Sequence, residues 1–326
     1  MPEVVIFAPS PVLTVTIEEH PDGPELHLHA GGQGVWQARM LRRLGVDVTM
    51  CSVLTGESGR MLRHLLDDEG IRMLVVEREG RGGAYVHDRR TGEREKIVET
   101  GGEPLSRHDL DELYGITLGA GLGGDYVILS GPASEDALPA DVYRRLAADL
   151  KTGGSRVIVD LAGERLDASL AGGVDVVKVS DQELLADGRI TEETTDAVVA
   201  AMHRIRDEGG ARTIIVTRAH LPLLMLSDNS VVEVSTPTME VADTTGAGDS
   251  LTAGVAASLA KGLSIEEAIT IGAAAGALNV TRHGLGTGDA QTIDKLRELV
   301  TVRVLGSTDE TPTVTPDELA ARVVEK

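Results

Sequence analysis

Residues 243–249, Asp-Thr-Thr-Gly-Ala-Gly-Asp, combine side chains that could carry out phosphate chemistry. Gly246, Ala247 and Gly248 precede an apolar, alanine-rich stretch typical of a helix, and small residues at a helix start leave its first backbone N–H groups open to an anion. A carboxylate at Asp249 would repel a permanently bound phosphate, so it is better suited to accept the proton of a hydroxyl group during a transfer. The alternative is a glycine-rich turn with Asp249 as an ordinary N-cap.

Composition limits the classes of partner. The chain has 31 basic and 52 acidic side chains and a net charge of −21, so we expect no general affinity for nucleic acid or an anionic membrane. The one cysteine, Cys51, cannot form an internal disulfide and is predicted to be a buried small hydrophobe. The sequence shows no secretory signal and no apolar run long enough to cross a bilayer, which predicts a cytoplasmic location.

Strands alternate with helices along most of the chain. This order predicts an α/β protein with a mostly parallel sheet covered on both faces. The predicted strands of this sheet are 3–7, 47–53, 71–76, 126–130, 157–160, 174–179 and 213–217, and the clearest helices are 35–44, 61–69, 140–151 and 192–208.

Two segments of alternating polarity, about 12–30 and 83–98, interrupt this order and are predicted to form a small β-sheet lid over one end of the main sheet. With no long repeat or linker in the sequence, we predict a single domain over residues 1–300 that carries the lid. Residues 301–326 are predicted to be a C-terminal extension.

Three other patterns do not indicate sites. Residues 119–124 satisfy G-x-G-x-x-G, but they follow a helix and precede a strand, so we interpret them as a loop and not as a dinucleotide site. The sequence has no P-loop motif and no G-x-S-x-G nucleophile motif. His27 and His29 have metal-ligand spacing on a strand but no third ligand nearby, which favours a half-buried lid face.

The segment 243–249, preceded by Gly31-Gly32-Gln33-Gly34, resembles the signatures of the ribokinase-type carbohydrate kinases, also called the PfkB family. Ser130-Gly131-Pro132, the lid hairpins and Lys178 to Glu183 occur in that family's order. Residues 8–13, Ala-Pro-Ser-Pro-Val-Leu, are similar to the branch of phosphofructokinase, 1-phosphofructokinase and tagatose-6-phosphate kinase. The resemblance covers residues 1–295 and implies a three-layer αβα ribokinase-like fold with a β-sheet lid.

This resemblance also implies roles for the residues of the signature. Asp249 would be the general base, and the N–H groups of Gly246, Ala247 and Gly248 would stabilise charge on the transferred phosphoryl group. The nucleotide, ATP, would contact residues along the same edge of the sheet, and these are Thr217, Asp243, Thr244, Gly246, Gly248 and Asn279. Glu183 would organise Mg²⁺ through water, with Ser180 replacing the family's asparagine.

The residues implied to bind the acceptor are Thr14, Gly31, Gly32, Gln33, Trp36, Arg81, Ser130 and Asp249. Three of them depart from the pattern of this branch, which normally has aspartate at the position of Thr14, lysine at Gln33 and asparagine at Trp36. Arg81 aligns by spacing with an arginine that contacts substrate phosphate. The alternatives are a solvent-exposed Arg81 and a Trp36 that only packs the helix against the lid.

Together these features predict an ATP- and Mg²⁺-dependent kinase that phosphorylates a hydroxyl of a sugar or sugar phosphate, as a phosphofructokinase does. A nucleoside or polyol kinase of the same family is the second reading, because Trp36 favours a flat or apolar acceptor. The third is a degenerate kinase that binds sugar or nucleotide as a sensor or partner subunit. The half-exposed lid strands and the resemblance imply a homodimer through the lid.

Overall fold

The computed structural model describes residues 2–92, 94–228, 230–281 and 285–305. Most of the predicted C-terminal extension, from residue 306 onward, lies outside the described residues. Within them no helix is long and apolar enough to cross a membrane.

The strands follow one another along the chain in two groups, one for each of two sheets. They are β1 (Glu3–Phe7), β2 (Val12–Glu18), β3 (Glu25–Gly31), β4 (Asp47–Thr55), β5 (Arg72–Arg78), β6 (Ala84–Asp88), β7 (Glu95–Thr100), β8 (Tyr126–Ser130), β9 (Arg156–Asp160), β10 (Val174–Ser180), β11 (Ala211–Arg218), β12 (Leu221–Ser227), β13 (Ser230–Ser235) and β14 (Thr301–Val304).

The larger sheet has ten strands within the described residues, in the order β5-β4-β1-β8-β9-β10-β11-β12-β13-β14. The seven strands from β5 to β11 run parallel, and β12 to β14 add an antiparallel edge. Buried Val, Ile and Leu runs build the central strands, as expected of a sheet covered on both faces. The predicted extension begins with β14, which pairs with β13.

Helices cover both faces of this sheet, and two apolar cores lie on its opposite sides. The helices are α1 (Gln33–Arg43), α2 (Gly56–Asp68), α3 (Arg107–Gly121), α4 (Asp141–Thr152), α5 (Gly163–Gly172), α6 (Asp181–Ala186), α7 (Thr195–Asp207), α8 (Ala247–Ala260), α9 (Ile265–Asn279) and α10 (Ala290–Arg297). The predicted three-layer α/β fold is therefore confirmed. Cys51 is buried as predicted, and burial raises the pKa of its thiol to about 11.

The lid is a separate four-stranded sheet in the order β3-β2-β6-β7. Each predicted segment forms a hairpin, and the two hairpins join through parallel pairing of β2 with β6. One face carries Thr14, Thr16 and His87, all buried, whereas Leu26 and Leu28 of β3 are exposed. The lid therefore has a polar side and a side with exposed apolar residues.

The interpretation of residues 119–124 as a loop was wrong in part. Gly119 and Gly121 belong to the last turn of α3, and a short turn follows before β8. A Cβ at Gly121 would lie 2.5 Å from Leu150 of α4, so the glycine permits close packing of the two helices. The glycines therefore serve packing and a turn, and the segment does not open a helix as a dinucleotide site requires.

Candidate active site

Residues 243–246 form a loop that leads directly into α8, and Ala247 to Asp249 lie in the first turn of this helix. Gly246 is the N-cap of the helix and has φ of 76°, a left-handed conformation that favours glycine, and it offers no side chain to cap the helix. Asp243 Oδ1 accepts a hydrogen bond of 2.9 Å from the Thr245 backbone N–H, which tightens the turn before it. No side chain therefore caps the first N–H groups of α8, which leaves them open to an anion apart from a long hydrogen bond of 3.4 Å from the Ala247 N–H to the Thr244 carbonyl.

Asn279, at the end of α9, holds this loop in place. Its Nδ2 donates to the Thr245 carbonyl at 2.7 Å, and its Oδ1 accepts from Ser250 Oγ and from the Gly286 N–H, each at 3.1 Å. The side chain is buried. These contacts give Asn279 a structural task at the predicted nucleotide site, whereas Thr244 lies exposed on the loop.

Asp249 is 8% exposed and lies in a buried cluster of charged and polar side chains. Gln37 Nε2 is 3.4 Å from Asp249 Oδ1 and also 3.4 Å from Asp160 Oδ2. Asp160 accepts hydrogen bonds of 2.9 Å from Lys178 Nζ and from Thr252 Oγ1. The cluster thus joins two carboxylates and one ammonium group through α1, β9, β10 and α8.

The electrostatic setting makes Asp249 more basic than an ordinary aspartate. Burial is the largest cause of the raised pKa of Asp249, and the negative charge of Asp160 raises it further, whereas Lys178 and the amides of Gln33 and Gln37 lower it. A carboxylate with a raised pKa is suited to take a proton near neutral pH.

Lys178 lies between Asp160 and the start of α8. Burial would lower the pKa of Lys178, but the charge of Asp160, followed by those of Glu183 and Asp249, outweighs burial and raises it. A Cβ at Gly248 would lie 2.6 Å from Lys178 Nζ, so the ammonium group is in contact with the anion-binding turn. Lys178 therefore adds a fixed positive charge to this turn.

The turn before α1 and the end of β8 meet beside this cluster. Gln33 Oε1 accepts from the Gly131 N–H at 2.6 Å, and its Nε2 donates to the Asp160 carbonyl at 3.1 Å. Ser130 Oγ donates to Gln37 Oε1 at 2.6 Å. Gly32 has φ of 104° and precedes the helix. The structure therefore brings Gln33, Ser130 and Asp249 together, and their role in binding an acceptor stays a prediction.

A cleft of about 360 Å³ lies between the lid and the body, and we call it the lid cleft. Thr14 and Trp36 line it, as do several basic or imidazole side chains: His29, Arg39, His87, Arg89 and Arg94. Arg81 is exposed and is not among the residues that line this cleft. The predicted phosphate contact is thus separated from the cleft, which has three other guanidinium groups.

Arg89 connects the lid to the loop before α8. Its guanidinium is 3.2 Å from Asp243 Oδ2, and both side chains are largely buried. Burial alone would raise the pKa of Asp243, but hydrogen bonds from Thr245 and the charge of Arg89 outweigh it and lower the pKa. Asp243 is therefore ionised, and its carboxylate is held by the Thr245 N–H of the loop and by Arg89 of the lid.

The predicted nucleotide and metal residues lie at the ends of β10 and β11. Thr217 is in register with Ser180, and Ser180 caps α6 through reciprocal hydrogen bonds with Glu183. Arg218, which follows Thr217, is buried and donates to the Pro222 carbonyl and Thr195 Oγ1. The residues that follow Thr217 thus build the antiparallel edge of the sheet.

Sequence reasoning assigned no role to Gln37, Asp160 or Lys178, although they surround Asp249. They come from α1, β9 and β10, and no known spacing pattern connects these three elements. The only signal was a charged residue near the end of each buried strand, namely Asp160 on β9 and Lys178 on β10.

The sequence profile of the pfkB family carbohydrate kinases matches residues 9–293. The chain belongs to this family. Among curated relatives of this pfkB-family chain, ATP-dependent 6-phosphofructokinase isozyme 2 of Escherichia coli is 30% identical over 281 residues, covering 83% of this chain and 89% of the relative. The 1-phosphofructokinase of Bacillus subtilis is 27% identical over 264 residues, covering 79% and 84%.

A solved structure agrees with these relatives. The crystal structure of phosphofructokinase-2 from Escherichia coli in complex with potassium has a TM-score of 0.82 and 25% sequence identity, and the match covers 91% of this chain and 99% of that one. The predicted ribokinase-like fold is thereby confirmed. This pfkB-family chain is a sugar kinase of the phosphofructokinase kind, a phosphotransferase with a hydroxyl group as acceptor.

The donor set near Glu183 fits Mg²⁺ held largely by water and phosphate. Within the described parts of the chain, no three His, Cys, Asp or Glu side chains are grouped to hold a metal ion directly. Glu183 Oε2 accepts from the Ser180 N–H and Oγ at 2.7 and 2.8 Å, which fixes the carboxylate. Mg²⁺ keeps several waters and usually needs only one or two carboxylates beside substrate phosphates.

Proposed function

We propose that this chain transfers the γ-phosphate of ATP to a hydroxyl of a sugar phosphate, with a phosphorylated fructose as the first acceptor to examine. The observation that carries the proposal is the buried Asp249 at the start of α8, with Lys178 beside the Gly246–Gly248 turn. The names of the two curated relatives, 6-phosphofructokinase and 1-phosphofructokinase, support this substrate class.

In the proposed reaction Asp249 accepts the proton of the acceptor hydroxyl. The acceptor oxygen forms a bond to the γ-phosphorus while the bond from that phosphorus to the ADP oxygen breaks. The N–H groups of the turn Gly246, Ala247 and Gly248, together with Lys178, stabilise the negative charge of the moving phosphoryl group. The buried setting strengthens each of these interactions.

The remaining predicted contacts are assigned by position. Thr217, Asp243, Thr244 and Asn279 shape or line the nucleotide side, and Glu183 holds water of a Mg²⁺ ion that neutralises phosphate charge. Gly31, Gly32 and Gln33 bring the chain close to the acceptor beside Ser130. Thr14 and Trp36 contact the acceptor from the lid cleft. Arg81 lies outside the lining of the lid cleft, so its proposed phosphate contact applies only to an acceptor that extends beyond the cleft.

The experiment is an ATP-consumption assay with fructose 6-phosphate, fructose 1-phosphate, free hexoses and nucleosides. Turnover of phosphorylated fructose, and its loss in Asp249→Asn with nucleotide binding retained, supports the proposal. If none of these compounds is phosphorylated while ATP binds, the chain is a degenerate binding protein. Arg81→Ala is expected to weaken the binding of phosphorylated acceptors and to leave the binding of free sugars unchanged.

Trp36 favours one second candidate. Its side chain lines the lid cleft, where a flat base or an apolar polyol face could pack against it. A nucleoside kinase would phosphorylate nucleosides in the same assay and leave hexose phosphates unchanged. That outcome would replace the acceptor class without changing the role proposed for Asp249.

A second copy of this chain is the proposed partner, with the lids paired. Leu26 is 66% exposed and Leu28 is 44% exposed, and both lie on the edge strand β3. Exposed apolar side chains on a small sheet are a recognised site of association, because such a sheet is marginal alone.

A further inference from the structure

Two buried polar atoms, on side chains that line the lid cleft, have no hydrogen-bond partner among the described residues. They are Thr14 Oγ1 and His87 Nδ1, on side chains that are 4% and 3% exposed. A buried donor or acceptor without a partner is costly in a folded protein. Both atoms therefore point to a polar ligand in the cleft.

The lid holds both atoms in fixed positions on neighbouring strands. Thr14 pairs with Tyr85 and Thr16 with His87 across the parallel β2–β6 ladder, so Thr14 and His87 share one face. His87 Nε2 is 3.1 Å from Thr16 Oγ1, which orients the ring. A Cβ at Gly31 would lie only 2.5 Å from Thr14 Oγ1, so glycine keeps space beside the hydroxyl.

His87 is an uncharged imidazole at neutral pH. Burial is the largest cause that lowers the pKa of His87, to about 4, and the charges of Arg94 and Arg89 lower it further, while Asp243 opposes them weakly. His29, on the same face, is also held neutral because burial and then Arg39 lower its pKa. A neutral ring can donate or accept one hydrogen bond at each nitrogen, which suits a hydroxyl group.

Arg94 gives the same cleft a charged end. Its guanidinium donates to Tyr85 Oη at 2.8 Å and lies 5.6 Å from the centre of the Tyr85 ring. Arg39 and Arg89 are ion-paired with Glu69 and Asp243, whereas no carboxylate among the described residues pairs with Arg94. A guanidinium that no carboxylate of the described residues pairs with is suited to a phosphate group.

We propose that the polar face of the lid determines acceptor specificity: Thr14 Oγ1 and His87 Nδ1 bind ring hydroxyls of a sugar phosphate, and Arg94 binds its phosphate. This inference rests on the proposed function. It adds His87 and Arg94 to the predicted contact Thr14, and it places hydroxyl recognition on uncharged groups of the lid.

The test compares Thr14→Val and His87→Phe with the wild type on two epimers, fructose 6-phosphate and tagatose 6-phosphate. Each variant is expected to raise KM for the preferred epimer roughly 3- to 10-fold, the effect of one lost hydrogen bond. The ratio of kcat/KM between the epimers is expected to fall towards one. His27→Phe is the matched control, because His27 lies on the same sheet face but does not line the cleft, and it is expected to keep the ratio.

Two further variants separate recognition from damage to the fold. His87→Gln replaces the imidazole by an amide that can still donate and accept hydrogen bonds, so it is expected to retain more discrimination between the epimers than His87→Phe. Arg94→Ala is expected to raise KM for fructose 6-phosphate at least tenfold, as expected for a lost charged hydrogen bond of about 1.5 kcal/mol or more, while leaving any turnover of free fructose unchanged. The proposal would be overturned if Thr14→Val and His87→Phe lowered kcat/KM equally for both epimers. It would also be overturned if Arg94→Ala lowered kcat/KM equally for free and phosphorylated fructose.

Trp36 is the only tryptophan of the chain and lines the cleft, so its fluorescence reports occupancy without turnover. Titration with fructose 6-phosphate is expected to change the signal in the wild type and in Asp249→Asn, and to need a higher concentration in His87→Phe. Binding that depends on His87 without any turnover would refute the proposed kinase function alone. If Thr14→Val and His87→Phe turn over the substrate, bind fructose 6-phosphate as the wild type does and keep its ratio of kcat/KM between the epimers, this inference alone is refuted.

Discussion

At the scale of single residues, the chemistry depends on the charge balance around Asp249. Asp160 and Asp249 bring two negative charges into a buried site that contains one ammonium group, that of Lys178. Protonation of Asp249 leaves this group of three without net charge, so the site favours the state that follows proton transfer. The ion pair of Lys178 is with Asp160, which leaves the carboxylate of Asp249 available to the acceptor hydroxyl.

The first prediction concerns the pH dependence of catalysis. A base must be deprotonated to act, so kcat/KM falls as pH falls through the raised pKa of Asp249. Asp160→Asn removes a neighbouring negative charge, and we expect the acid limb of kcat/KM to move to lower pH by roughly one unit. Thr252→Val, which removes one hydrogen bond to Asp160 but keeps its charge, is expected to leave the limb in place. An unmoved limb in Asp160→Asn would disprove this influence.

The sequence was sufficient to predict the residues that lie in one continuous signature. Gly246, Gly248 and Asp249 could be interpreted because a turn, a helix start and a carboxylate follow each other within a few positions. Lys178, Asp160 and Gln37 could not, because their proximity results from the order of strands in the sheet. The roles of all these residues in catalysis stay predictions until variants are measured.

At the scale of elements, the parallel strands place the site and the antiparallel edge completes the sheet. Strands β12 and β13 were not predicted, since the short turn between β11 and β12 has neither Asn-Gly nor Asp-Gly to mark it. Ala219 in that turn has φ of 41°, which is unusual for a residue with a side chain. The parallel pairing of β2 with β6, which joins the two lid hairpins, could not be predicted from the sequence either, because it depends on tertiary packing.

A second prediction follows from Ala219. Ala219→Gly relieves the left-handed backbone and is expected to raise the free energy of unfolding by about 1 kcal/mol. Urea unfolding followed by circular dichroism measures this change. Ala200→Gly, on the exposed face of α7, is the control and is expected to lower stability by about 1 kcal/mol. A destabilised Ala219→Gly would show that the turn is not strained.

At the scale of the whole molecule, a strongly acidic protein carries a locally basic cleft. The net charge of −21 repels phosphorylated compounds in general, whereas the lid cleft presents Arg39, Arg89 and Arg94. Local donors in the cleft therefore decide which anions bind. The Arg89–Asp243 contact joins the lid to the loop before α8, so the lid and the transfer site are mechanically connected.

A third prediction concerns assembly. Leu28→Glu places a charge on the exposed side of the lid, and we expect it to dissociate the proposed homodimer because a buried charge without a partner opposes association. Sedimentation velocity at micromolar protein measures the change. Glu19→Gln, in the turn after β2, is the control and should leave the dimer intact. A wild-type chain that sediments as a monomer would contradict the proposed partner.

The role of Asp249 is tested by the turnover of Asp249→Asn with ATP, Mg²⁺ and fructose 6-phosphate. We expect kcat to fall by about 10²- to 10⁴-fold, the contribution of a positioned general base. Binding of ATP and the change in Trp36 fluorescence with fructose 6-phosphate should remain. We also expect the variant to melt no lower than the wild type, because a buried carboxylate beside Asp160 is removed. A kcat equal to that of the wild type would show that Asp249 is not the base.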